Sequence, residues 1–259
     1  MHIRVVFKGL NESRNGMYKC YMQYCIKIAA LILNSVDNKN GMLNIEEGSI
    51  LEILGKFKKQ SNLGEHSILI YPDRYALREV CSRACKMSLE NNEAVIVLLH
   101  YETRDNVLTY LRELGIDVYN YEKKERSLLI IDSAKDYFGS AKDFLFYLKL
   151  MSTNASRRNK RGILVLLDVG FHYYPHRISS QVERGINLLV EYEESIPAKL
   201  DLNVKILCLY NVKDFDILKK ADQKEYLLKL HFRRYKIRTD PYPYDKASNN
   251  KSLSIQLTA

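Results

Sequence analysis

The sequence predicts an α/β fold, with a mostly parallel central sheet between two layers of helices and a helical extension in front of it. Three observations carry this. From His66 onward, short apolar runs alternate regularly with stretches of helical period. The runs are apolar throughout, as in AVIVLL at 94–99, which suits strands covered on both faces. The chain has 259 residues, 46% hydrophobic and 27% charged, enough for one large domain with an extension.

The elements follow in order. Residues 17–33 have a rough helical period through Tyr18, Met22, Cys25, Ala29 and Ile32, and DNKNG at 37–41 is a turn cluster. A helix over 47–59 sets Ile50, Leu51, Leu54 and Phe57 on one face. Strands are expected at 67–71, 94–99, 127–132, 162–168 and 204–210, and helices at 74–91, 103–114, 140–152 and 176–194. Gly115 ends the second of these helices. The stretch KLHFRRYKIR at 229–238 alternates like an edge strand with its cations outward. From Asp240 the chain reads as a tail, with one late strand at 253–257. The expected division is therefore an extension over 1–63, an α/β domain over 64–238 and a tail or edge element over 239–259.

Composition narrows the function classes. No apolar run reaches the ~18 residues a membrane helix needs, and the N-terminus lacks a signal-peptide cleavage pattern, so a cytoplasmic location is expected. Five cysteines in such a chain read as reduced thiols, with Cys81 and Cys85 as core or boundary residues. A net charge of +9 favours anionic partners without establishing one.

Ligands of parallel α/β sheets bind beyond the carboxyl ends of the strands. Those ends carry Tyr71 to Asp73, His100 to Glu102, Asp132 and Ser133, Asp168 to His172, and Tyr210 and Asn211. The first strand ends in a turn, Tyr71-Pro72-Asp73-Arg74-Tyr75, where many α/β proteins hold a phosphate. A phosphate loop needs glycines whose N–H groups close around the phosphates, a lysine, and a Ser or Thr for Mg²⁺. This turn offers none of these, and Pro72 removes an N–H. Gly55-Lys56 falls inside a predicted helix and is read as structural.

The segment HYETRDNVLTYLRELGIDV at 100–118 resembles the stretch after the second strand of KaiC- and RecA-like ATPases, and GILVLLD at 162–168 resembles a Walker B strand. With the strand H-x-x-x-x-Y at 66–71 and LCLYNVKDF at 207–215, the order of motifs resembles the MEDS domain, the methanogen/methylotroph DcmR sensory domain. The resemblance covers roughly residues 64–235. It implies a three-layer RecA/KaiC-like fold and a non-catalytic sensor of a small, hydrocarbon-derived organic ligand. It also implies a signalling partner of kinase or transcription-factor type. No cofactor follows from it, and an assembly of copies is compatible with the fold.

Each candidate residue carries two readings. Tyr71, Glu102 and Asp168 are the ligand candidates; the two acids could instead be ATPase remnants paired with cations or solvated. Asp73 reads as the cap of the helix it opens, the alternative being an open helix N-terminus that takes a small anion. Arg74 points to the ligand or to solvent. His66 is also a ligand candidate, but five residues from Tyr71 it faces the other side of a regular strand and more simply ties down the preceding chain. His172 and His176 have no completing ligand set, so no metal is expected. No G-x-S-x-G elbow or evident nucleophile–base set appears, so no enzyme activity is expected. Two alternatives stay open: a residual nucleotide-binding or ATPase module, and a nucleic-acid-binding regulator using Arg233, Arg234 and Lys236.

Overall fold

The computed structural model describes residues 44–131, 141–169, 182–218 and 221–238, and the statements below concern these. The chain divides into two compact units, Met1–Asn44 and Ile45–Ala259, and the second is the one described here. The expected helix at 17–33, the turn at 37–41, Asp132 and Ser133, His172 and His176, and the tail from Asp240 lie outside the described residues.

The chain runs β1 (Glu46–Gly48), α1 (Ile50–Gln60), β2 (His66–Tyr71), α2 (Arg74–Glu90), β3 (Ala94–Leu98) and α3 (Arg104–Glu113). After a π-helical turn at Asn120–Lys124 come β4 (Leu128–Ile131), α4 (Ala141–Arg157), β5 (Ile163–Asp168) and α5 (Val182–Glu194). The chain continues through β6 (Val204–Asn211), α6 (Val212–Ile217), α7 (Ala221–Lys229) and β7 (Arg233–Ile237). Seven strands form one sheet in the order β1-β7-β2-β6-β5-β3-β4, and every pairing is parallel. This is the α/β architecture expected from the alternating pattern.

Side chains alternate between the two faces of each strand. On one face Leu69, Tyr71, Val97, Leu166 and Leu209 pack with Phe57 of α1, Leu77 and Val80 of α2, and Val107 and Leu111 of α3. Cys81 and Cys85 are buried, unpaired members of the same core. The register Ile68↔Cys208 and Ile70↔Tyr210 sets His66, Ile68, Ile70, Ile206, Cys208 and Tyr210 on the other face, where Tyr210 meets Glu193 of α5. The central strands have both faces covered, which is why their sequences are apolar without alternation.

Two expectations are corrected. Residues 46–60, assigned from sequence to the extension, belong with the sheet: β1 pairs with β7, and Ile53 and Phe57 of α1 are core residues. A capping box between Ser49 and Glu52 starts α1 immediately after β1. The segment read as an edge strand, β7, lies inside the sheet between β1 and β2. Its alternation matches burial of Tyr235 and Ile237, and its cations find partners in neighbouring segments rather than a free edge. Just before β2, Gly64 has φ +89° and a Cβ there would lie 2.6 Å from the Leu200 carbonyl oxygen. Both the left-handed backbone and the close approach require glycine.

Candidate functional site

At the carboxyl end of β2 the chain enters α2 through Pro72 and Asp73. Asp73 caps the helix, its carboxylate accepting from the Ala76 N–H at 2.9 Å. The cap occupies a donor that an anion would otherwise use. Asp73→Ala is expected to cost about 1 kcal/mol in urea denaturation; no change would mean that the exposed helix end is satisfied by water alone.

Asp168 ends β5 and is fully buried. Its carboxylate accepts from the backbone N–H groups of His100 at 3.1 Å and Tyr101 at 2.8 Å, and from the Tyr71 hydroxyl at 3.4 Å. It thus ties the loop after β3 to β5 and sits beside the end of β2. Burial, then the neighbouring Asp168 charge, pushes the Tyr71 phenol far up, so it acts as a donor. Arg74 donates from Nε to the Tyr101 carbonyl at 2.6 Å, and the Tyr101 hydroxyl donates to Asp214. Burial pushes the Asp214 carboxyl up against that bond.

Glu102 turns toward α2. It accepts from Arg78 Nε at 2.7 Å, from the Thr103 N–H at 2.9 Å and from the Asn106 amide at 2.5 Å. Burial alone would raise its carboxyl, but Asn106, Thr103 and Arg78 outweigh this and hold it below the usual carboxylate range. A depressed carboxylate contributes stability that is present above its unfolded value and lost as pH falls through the folded one. Glu102→Gln is therefore expected to flatten stability against pH below about 4.5, read from urea midpoints across that range.

Hydrogen bonds thus join Tyr71, Arg74 and Asp168 through the His100–Tyr101 loop. Tyr71, Glu102 and Asp168 are buried, while Asp73 and Arg74 are exposed and His100 and Tyr101 half-buried. His66 is not part of this group: it lies at the amino end of β2 and on the opposite face.

The cations of the nucleic-acid alternative are engaged within the protein. Arg233 bonds Glu65 at 3.0 Å and the Gln60 carbonyl, Arg234 the Leu228 carbonyl, and Lys236 Glu47 at 2.9 Å. A further run of cations, RRNKR at 157–161, is also engaged: Lys160 bonds Glu125, and Arg158 the Arg126 carbonyl.

Sequence reasoning missed a second polar group. His66 of β2, Glu193 of α5, Cys208 of β6 and His231, just after α7, meet on the other sheet face, all fully buried or nearly so. His66 Nε2 lies 3.0 Å from Cys208 Sγ and 3.3 Å from Glu193 Oε2. His231 Nε2 is 3.4 Å from the same oxygen, and Cys208 Sγ is 3.8 Å from it. The other carboxylate oxygen, Oε1, accepts from the Tyr210 hydroxyl at 2.6 Å. Burial would raise Glu193, yet the two imidazoles hold it well below the usual range. Burial and then His231 push His66 down despite Glu193, and burial lifts the Cys208 thiol. The signals in sequence were a histidine opening a buried strand and the Cys-x-Tyr order in β6.

Among curated proteins, none is similar in sequence at a significant level. The crystal structure of a KaiC-like protein from the hyperthermophilic archaeon Pyrococcus horikoshii OT3 is similar over 64% of this chain and 70% of that one, at 13% identity and a TM-score of 0.43. The family described as MEthanogen/methylotroph, DcmR Sensory domain matches residues 65–231. That span runs from the strand bearing His66 and Tyr71 to His231 and takes in both polar groups, so the chain belongs to the MEDS family.

Proposed function

We propose that this domain is a non-catalytic sensor of a small organic, hydrocarbon-derived ligand in signal transduction or transcriptional regulation. The ligand binds at the carboxyl edge of the sheet, and the signal passes to a protein partner. The observation that carries this is the way Asp168 and Glu102 are used. In an ATPase such acids would serve Mg²⁺ and water; here backbone N–H groups, Tyr71, Arg78 and Asn106 engage them, beside a turn without glycine or lysine. Arg74, His100 and Tyr101 form the accessible part of the site, and Tyr71 and Asp168 fix the loop beneath. A ligand that favours one arrangement of this loop shifts its population, which is all a sensor requires. Among the described residues no helix is long and apolar enough to cross a membrane, and the cytoplasm is the proposed location.

Thermal-shift melting separates this reading from a residual nucleotide module. A panel of small carboxylates, alcohols and halogenated hydrocarbons is compared with ATP and ADP, each with Mg²⁺. A ligand at one hundred times its dissociation constant stabilises by about 2.7 kcal/mol. The expected result is a shift with one small organic and none with Mg-nucleotide, reduced by Arg74→Ala. A shift with Mg-ATP that Asp168→Ala removes would overturn the reading.

A further inference from the structure

The geometry points to a buried metal site, in which His66, Glu193, Cys208 and His231 bind one divalent transition ion of the zinc type. The four ligand atoms all lie within 4.8 Å of one another. A tetrahedral centre with metal–ligand bonds of about 2.0–2.3 Å sets its ligand atoms roughly 3.3–3.7 Å apart. Four of the six separations, at 3.0, 3.3, 3.4 and 3.8 Å, bracket that spacing.

The surroundings also hold two of the ligands, His231 and Glu193, as a metal needs them. His231 Nδ1 lies 2.9 Å from the Leu227 carbonyl oxygen, which can only accept, so Nδ1 carries the proton. Nε2 is the ring nitrogen turned into the cluster, where it has no hydrogen-bond partner. It faces a carboxylate oxygen 3.4 Å away, a spacing at which an imidazole nitrogen and a carboxylate oxygen can share one metal ion. Glu193 presents Oε2 to the cluster while Tyr210 holds Oε1, as outer partners hold metal-bound carboxylates. One thiolate and one carboxylate offset the charge of a dication, and binding releases the Cys208 thiol proton to solvent. Two imidazoles, a thiolate and a carboxylate suit zinc over the harder Mg²⁺ or Ca²⁺.

The test uses the full chain, purified, stripped with chelator and titrated with Co²⁺ and Zn²⁺. One equivalent of Co²⁺ per chain is expected, with tetrahedral visible bands and a near-ultraviolet thiolate-to-cobalt band. Cys208→Ser removes the thiolate band, whereas a chain with Cys20→Ser and Cys25→Ser keeps it. Tyr210→Phe, a change in a positioning residue, weakens affinity by about 10–100-fold with the same spectrum. Zinc X-ray absorption on the wild type needs no variant and should show one sulfur with three nitrogen or oxygen neighbours. Substoichiometric uptake by folded chain, a zinc shell without sulfur, or a cobalt spectrum unchanged in Cys208→Ser would overturn the proposal.

Discussion

Glu193→Ala is expected to destabilise the domain by about 3–5 kcal/mol, the cost of breaking a buried ionic group by removing one partner. Glu193 is the hub of its cluster: Oε1 takes the Tyr210 hydroxyl, and Oε2 is within reach of His66, His231 and Cys208. Alanine leaves that hydroxyl without its acceptor and two buried imidazoles without the carboxylate they face, in a region closed to water. Glu193→Gln keeps an acceptor for Tyr210 and is expected to cost less. Urea denaturation of both variants, with circular dichroism as readout, provides the measurement. A loss below about 1 kcal/mol for alanine would mean that water enters and solvates the remaining groups.

Asp168→Ala is expected to cost about 3 kcal/mol, since it leaves two backbone N–H groups and the Tyr71 hydroxyl without an acceptor. The backbone bonds at 3.1 and 2.8 Å dominate, and the 3.4 Å contact to Tyr71 is weaker. Asp168→Asn, which retains one carbonyl acceptor, should fall between. Were Asp168 poised for Mg²⁺ rather than used as a brace, alanine would leave stability nearly unchanged and alter only the response to Mg-nucleotide. Equilibrium denaturation beside nucleotide titration distinguishes these outcomes.

The central strands and the helices between them were legible because burial on both faces forces continuous apolar runs, as in ILVLLD of β5. β1 was not: three residues, Glu46–Gly48, whose one buried position is a glycine, leave no pattern to read. β7 was legible as a strand but not in position, because its outward cations pair with Glu65 and Glu47, and a side chain bound to a neighbour looks the same in sequence as one in water. At the carboxyl edge, Asp73 as a cap followed from local rules. The bonds from Asp168 to the loop after β3 span 68 and 67 positions, beyond any local signal. The His66–Cys208 contact spans 142, and Glu193 read as one more polar residue on an amphipathic helix. Only the sheet order brings these four together.

The place of β7 between β1 and β2 has a consequence for the order in which the chain can fold as it is synthesised. The Glu47–Lys236 contact joins residues 189 positions apart. At ribosomal rates of about 5–20 residues per second, β1 waits on the order of 10–40 s for the strand it pairs with. During that interval β2 has an open side, and the long closure between β1 and β7 slows the final step. The nascent domain thus exposes an open side of β2 that the finished domain lacks, and β7, the last strand among the described residues, is the one that seals it.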